Sequence, residues 1–130
     1  MEKVITLHST LDFHQTLERV IQNIQKKGFK IFARIDHTEE AKLAGLKLNP
    51  TQLIIFGNPA VGTFLMQDKQ TCGIDLPAKI LVWEDSQNSV MLSYHEMSTF
   101  SRVHHLSKRS EEVLQKISET VQSICKEATQ

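Results

Sequence analysis

The sequence predicts an α+β fold: one domain over residues 1–130, with about five strands and helices mainly on one face of the sheet. Three observations carry this. A short β-branched run near the N-terminus leads into a long amphipathic segment. Two alternating segments flank a polar four-residue turn at Asp85–Asn88. A second long amphipathic segment closes the chain. The hairpin requires at least one antiparallel pair, so the sheet is expected to be mixed or antiparallel, in the order β-α-β-α-β-α-β-β-α.

Val4–His8 reads as the first strand, rich in β-branched residues and free of breakers. A helix follows over about residues 10–27, capped by Ser9 or Thr10 with Asp12 three residues on. Phe13, Leu17, Val20, Ile21 and Ile24 recur at helical spacing and define its buried stripe. Gly28 suits a left-handed residue past the helix end, with Ile24 and Phe29 placed for the apolar contact of a Schellman ending. Phe29–Ile35 is the second strand. Asp36 or Thr38 caps a short helix through Ala44, ended by Gly45.

Thr51–Phe56 is an apolar third strand, and Pro59 to about Gln67 a helix. Ala78–Glu84 and Ser89–His95 form the hairpin. Its first strand is apolar on both sides: Ile80 and Val82 face one way, Leu81 and Trp83 the other. The second apolar face needs a cover, either a partner chain or a long helix laid across it. Met97–Val103 reads as a short helix. Ser110 is expected to cap the last long one, with Val113, Leu114, Ile117, Val121, Ile124, Cys125 and Ala128 as its stripe.

Bulk properties narrow the function classes. Fifteen basic and fifteen acidic residues cancel, and no long run of Lys and Arg offers a footprint for nucleic acid or an acidic membrane. Forty per cent hydrophobic residues suffice for a core, yet no apolar run is long enough to span a bilayer. Cys72 and Cys125 lie far apart, outside any CxxC spacing, which argues against a disulfide framework. The N-terminal residues lack the pattern of a secretory signal. These readings together point to a cytoplasmic location.

The segments FARIDHTEEAKLAGLKLNPTQLIIFGNP, GTFLMQDKQTCGIDLPAKILVWED and VMLSYHE together resemble the DUF302 family. The resemblance runs from Phe32 to Tyr94 and rests on Ile35-Asp36-His37, Phe56-Gly57-Asn58-Pro59, Asp75-Leu76-Pro77 and Val82-Trp83-Glu84-Asp85. It implies a compact α+β fold, often dimeric, and no established chemistry.

Candidate functional residues sit at predicted strand ends. Asn58 is an apt helix N-cap and Pro59 an apt first helical residue. The amides beyond them form either a capped helix start or a modest anion site, the latter open only if Asn58 does not fill it. No Gly-Lys-Thr element follows, so this is no P-loop. Asp36-His37 offers an imidazole and a carboxylate, but strand neighbours point to opposite faces, and Asp36 can instead cap the next helix. Asp75 precedes Leu76-Pro77 and enters the hairpin; Tyr94 lies near the hairpin's other end. His8, His14, His37, His95, His104 and His105 show neither an i,i+4 pair nor a His-x-His. No metal or cofactor is therefore expected; a cluster of His37, His95 and Asp75 is the arrangement that would hold one. Cys72 lacks a dedicated base and reads as a buried thiol.

The expected function is a non-catalytic homodimeric domain that binds a small anionic molecule at a rim holding Asp36, His37, Gly57, Asn58, Asp75 and Tyr94. Two alternatives stay open. One is a small enzyme, a hydrolase or lyase with a histidine or carboxylate base, with or without metal. The other is an interaction module whose hairpin face docks a partner.

Overall fold

A computed structural model describes residues 3–97 and 100–130. Five strands, β1 (Val4–His8), β2 (Lys30–Asp36), β3 (Thr51–Gly57), β4 (Ala78–Glu84) and β5 (Val90–His95), form one sheet in the order β1-β5-β4-β3-β2. Every neighbouring pair is antiparallel, which resolves the choice between a mixed and an antiparallel sheet. The helices are α1 (Phe13–Lys26), α2 (His37–Leu43), α3 (Pro59–Asp68), α4 (Phe100–Val103) and α5 (Lys108–Ala128), with a 3-10 turn at Gln70–Ile74. The helix expected over Met97–Val103 is described as α4; residues 98 and 99 lie outside the described residues.

The two long helices lie against one face of the sheet because the strands alternate in register. Ile54 pairs with Ile80 and Ile80 with Tyr94, while Val82 pairs with Leu92. These side chains meet Leu17, Val20 and Ile24 of α1 and Val121, Ile124, Cys125 and Ala128 of α5 in one core. A smaller cluster of Leu65, Cys72, Phe100, Leu106 and Leu114 joins α3, the 3-10 turn, α4 and α5. Leu53, Leu81, Trp83 and Met91 alternate to the opposite face, remain partly exposed and take no part in that core. There Trp83 Nε1–H donates to Ser93 Oγ at 2.9 Å, and Ser93 Oγ meets Thr6 Oγ1 at 2.9 Å.

The predicted ending of α1 is present: Gly28 has φ 81°, its N–H donates to Gln25 O, and Phe29 N–H donates to Ile24 O at 3.1 Å. Two helix starts differ from expectation. The N-cap of α1 is Asp12, whose Oδ1 accepts from Gln15 N–H at 2.8 Å while Asp12 N–H donates to Gln15 Oε1. Ser9 is instead held by the Thr16 hydroxyl at 2.6 Å, so the capping box falls one turn later. The N-cap of α5 is Ser107, one turn before Ser110, whose N–H it accepts. The Ser107 amide donates to Asp68 Oδ2 at 2.9 Å, which ties the end of α3 to the start of α5.

Ile80 is fully buried, so Ile80→Ala is expected to lower the unfolding free energy by about 2–5 kcal/mol in urea titration. Leu43→Ala, at a residue 74% exposed, is expected to change it by less than about 0.5 kcal/mol. The Asp68 carboxyl is held below the usual carboxylate range, chiefly by the Ser107 amide and then by the Ser110 hydroxyl. A depressed folded pKa stabilises above the unfolded value, about pH 4, and that contribution is lost as pH falls through the folded value. Asp68→Asn is therefore expected to flatten the drop in urea midpoint between pH 5 and pH 3; parallel drops in the two proteins would contradict this.

Candidate functional site

The corner between β3 and α3 is built by Gly57, Asn58 and Pro59. Asn58 is extended (φ −110°, ψ 112°) and caps α3: its Oδ1 accepts from Ala60 N–H at 3.0 Å and Val61 N–H at 3.3 Å. Its carbonyl accepts from Gly62 N–H at 2.8 Å. Pro59 has no amide to satisfy. The donors of the first turn are thus taken by Asn58 itself, and the helix start offers no free amide to an anion.

Beside this cap lies a cavity of about 290 Å³. Phe29, Phe32, Phe56, Met66, Pro77 and Met97 are the larger apolar side chains of its wall, together with Val61, Leu76 and Ile117. It stays open because small residues, Gly62, Gly73 and Ala78, line it where the surrounding core carries larger side chains. Gly57 closes one side. A Cβ there would stand 3.3 Å from Pro77 Cβ and 3.4 Å from Phe32 Cε2, tighter than ordinary packing. The Leu76–Pro77 peptide beside it is cis. Asn58 and Thr63 are the polar side chains among the described lining residues, and none of that lining is titratable.

The six residues expected to share a rim divide between the two ends of the sheet. Gly57 pairs with Lys30 at one end of β2, and Asp36 pairs with Gln52 at the other, six strand residues or about 20 Å away. Gly57 and Asn58 line the cavity. Asp75 lies at the same end of the sheet, in a neighbouring cavity of about 120 Å³ that Lys79 and His95 also line. Tyr94 sits in the main core and lines neither cavity; burial pushes its phenol up from its ordinary pKa. Asp36 caps α2, accepting from Glu39 N–H at 3.0 Å and from Gln52 Nε2 at 3.3 Å, and His37 is the first residue of that helix. His37 therefore lies at the opposite end of the sheet from Asp75 and His95. No group of three or more His, Cys, Asp or Glu side chains among the described residues is placed to hold a metal ion.

One polar arrangement escaped the sequence reading. His104, 7% exposed, donates from Nε2 to Asp75 Oδ2 at 2.6 Å. In that tautomer Nδ1 accepts from the Thr71 hydroxyl at 3.0 Å. The imidazole also packs on Phe100, with ring centres 4.9 Å apart. Thr71 lies within the 3-10 turn that carries Gly73 to the cavity wall and Asp75 ends it, so His104 fastens that wall to the end of α4. No spacing signals it, since the partners lie 29 and 33 residues away.

Cys72 is fully buried; burial, with the Asp68 and Asp75 carboxylates nearby, pushes its thiol up. Cys125 is raised further, by burial alone. Both thiols are expected to resist alkylation at pH 8 in the native protein and to react on unfolding. His104→Ala is expected to lower the unfolding free energy by about 1–3 kcal/mol through loss of the Asp75 and Thr71 hydrogen bonds, read by urea titration. A stability unchanged from wild type would show that the three groups are not a fastener.

Comparison with known proteins agrees with this architecture. The chain is 44% identical over 108 residues to proteins of Brucella suis and Brucella abortus, each named fluoride-specific ion channel FluC 1. That alignment covers 83% of this chain but 42% and 40% of those proteins, so the chain spans about two fifths of the length of the curated relatives it matches. Among the described residues no helix is long and apolar enough to cross a membrane. The crystal structure of an uncharacterized conserved protein DUF302 from Bacillus stearothermophilus superimposes with a TM-score of 0.84 at 16% identity, over 98% of each chain. The profile of the family described as domain of unknown function DUF302 matches residues 5–124, and the chain belongs to that family.

Proposed function

We propose that this domain is a non-catalytic binder of a small molecule, held in the cavity between α3, the 3-10 turn and the end of the sheet. The observation that carries this reading is the lining itself: a space of about 290 Å³ walled by phenylalanine and methionine, with no titratable side chain among the described residues that form it. Of the bases expected, Asp36 and His37 lie about 20 Å off at the far end of the sheet, and Asp75, held by His104, lines the neighbouring cavity with His95 rather than this one. The anion expected at Asn58 meets amides already taken, so the body of the ligand is apolar.

The same reading makes the protein a homodimer in a reducing compartment such as the cytoplasm. Two free, buried cysteines fit the compartment. Leu53, Leu81, Trp83 and Met91 on the uncovered sheet face supply an apolar patch that a second copy would cover.

A saturating apolar ligand, at ten times its Kd, is expected to raise the Tm by about 3–5 °C. Gly62→Leu fills the cavity from α3, where the nearest atom to an added Cβ is Met66 Cε at 3.9 Å, and should abolish that shift while keeping the fold. A wide panel of small apolar compounds that leaves the wild-type Tm unmoved would defeat the reading. Sedimentation equilibrium should return twice the 14.8 kDa chain mass, with Trp83→Glu returning one chain mass. A wild-type monomer at all concentrations would remove the dimer.

The relatives favour a second reading, an accessory module of a membrane ion channel, because they carry a 44% identical segment within longer chains named as fluoride channels. Its test is fluoride efflux from vesicles holding such a channel, with and without this chain. Equal rates and no co-purification would exclude it.

A further inference from the structure

Resting on the reading of the cavity as a binding site, we propose that its ligand is an aromatic carboxylate, with a flat body about two fused rings in size and its anionic group directed to Lys30. The size follows from volume. A cavity of about 150 Å³ holds a benzene ring, and this one, at about 290 Å³, is roughly twice as large. The flatness follows from the walls. The rings of Phe29, Phe32 and Phe56 line the space, with Phe29 and Phe56 already edge to face at 5.6 Å between centres. Aromatic rings in such arrangements favour another ring over a branched aliphatic body.

The charge follows from an ammonium set over a ring of the wall; Lys79, the other ammonium nearby, already donates to Pro77 O at 3.5 Å. Lys30 pairs across the sheet with Gly57, and its Nζ lies 5.5 Å from the centre of the Phe32 ring. Gly57 and Phe32 both line the cavity, and Phe32 is 44% exposed, so this edge of the wall faces solvent. No carboxylate among the described residues forms an ion pair with Lys30. An acid whose ring enters the cavity leaves its carboxylate in water near this ammonium, a short-range attraction that a neutral molecule of the same shape lacks. Asn58 lines the same wall, and with its Oδ1 on the helix amides its Nδ2–H₂ has no protein acceptor among the described residues, so it can donate to the ligand. An anion is thus accommodated beside Asn58 without any helix amide being free.

The experiment measures Kd by calorimetry for 2-naphthoate and for 2-acetonaphthone, a neutral molecule of nearly the same shape, at low salt. Wild type should bind the acid about threefold more tightly than the ketone, the size expected of an exposed ion pair. Lys30→Gln should erase the preference and leave ketone binding unchanged, and Lys30→Arg should restore it. Half-molar sodium chloride should weaken the acid alone. Gly62→Leu should weaken both compounds at least tenfold, which locates them in the cavity. Equal binding of acid and ketone by wild type would overturn the assignment of charge while the apolar cavity stands. Undiminished binding of both by Gly62→Leu would overturn the cavity as their site, and no binding of either compound, or of any other apolar compound, would overturn the binding reading with it.

Discussion

The register of the three central strands is the constraint on which the rest of the structure depends. Because β3, β4 and β5 are antiparallel and in step, Ile54, Ile80 and Tyr94 form one row of buried side chains, and Val82 and Leu92 continue the face in the next. A slip of one residue would carry that whole set to the opposite face and present Leu53, Leu81 and Ser93 to α1 and α5. The same register places Phe56 against Ala78 and Gly57 against Lys30. Large side chains fill the middle of the sheet, and small ones stand at this end. The cavity lies at this end, lined by Gly57 and Ala78 of the strands and Gly62 of α3.

Polar groups around that cavity are occupied in holding it up. Asn58 satisfies the start of α3, Asp68 satisfies the start of α5, and Asp75 with Thr71 fixes His104. Each removes an orphaned donor or acceptor that would otherwise cost of the order of a hydrogen bond. The shared effect is a rigid frame around an apolar space. Reactive chemistry asks for the reverse, a titratable group aimed into the pocket, and the described lining has none. On the proposed reading, such a frame would select a ligand by shape and by the charge at its rim.

Much of the fold was legible in the sequence because it rests on local rules. The apolar stripe of α1, the left-handed Gly28 behind it and the Asp85–Asn88 turn each declare themselves within a few residues, and the structure has all three. The sequence places the start of α1 one turn too early and that of α5 one turn too late. Ser9 and Ser110 are both good capping residues, and the choice fell to tertiary partners: the Thr16 hydroxyl holds Ser9, and Asp68 fixes the Ser107 amide. The candidate site is less legible. The sequence leaves Gly57-Asn58 open between a capped corner and an anion site, and the structure has the cap; Asp36 and His37 belong to the far end of β2, which only strand pairing reveals. His104 carries no local signal, because its partners Thr71 and Asp75 lie 33 and 29 residues away in the sequence. The cavity itself could not be read at all, since an unfilled space is a property of packing and no residue pattern records it.

The Bacillus stearothermophilus structure keeps the fold across 98% of both chains while sharing 16% of its residues. The Brucella proteins share 44% over 108 residues yet are more than twice as long as the matched segment. The cluster joining α1, α5 and the sheet forms a core within the matched segment itself. What attachment to a longer chain changes is the set of surfaces left exposed, here the sheet face of Leu81 and Trp83 and the cavity edge at Phe32. These two surfaces lie on different parts of the sheet, so a partner could cover the first and leave the second open to a ligand.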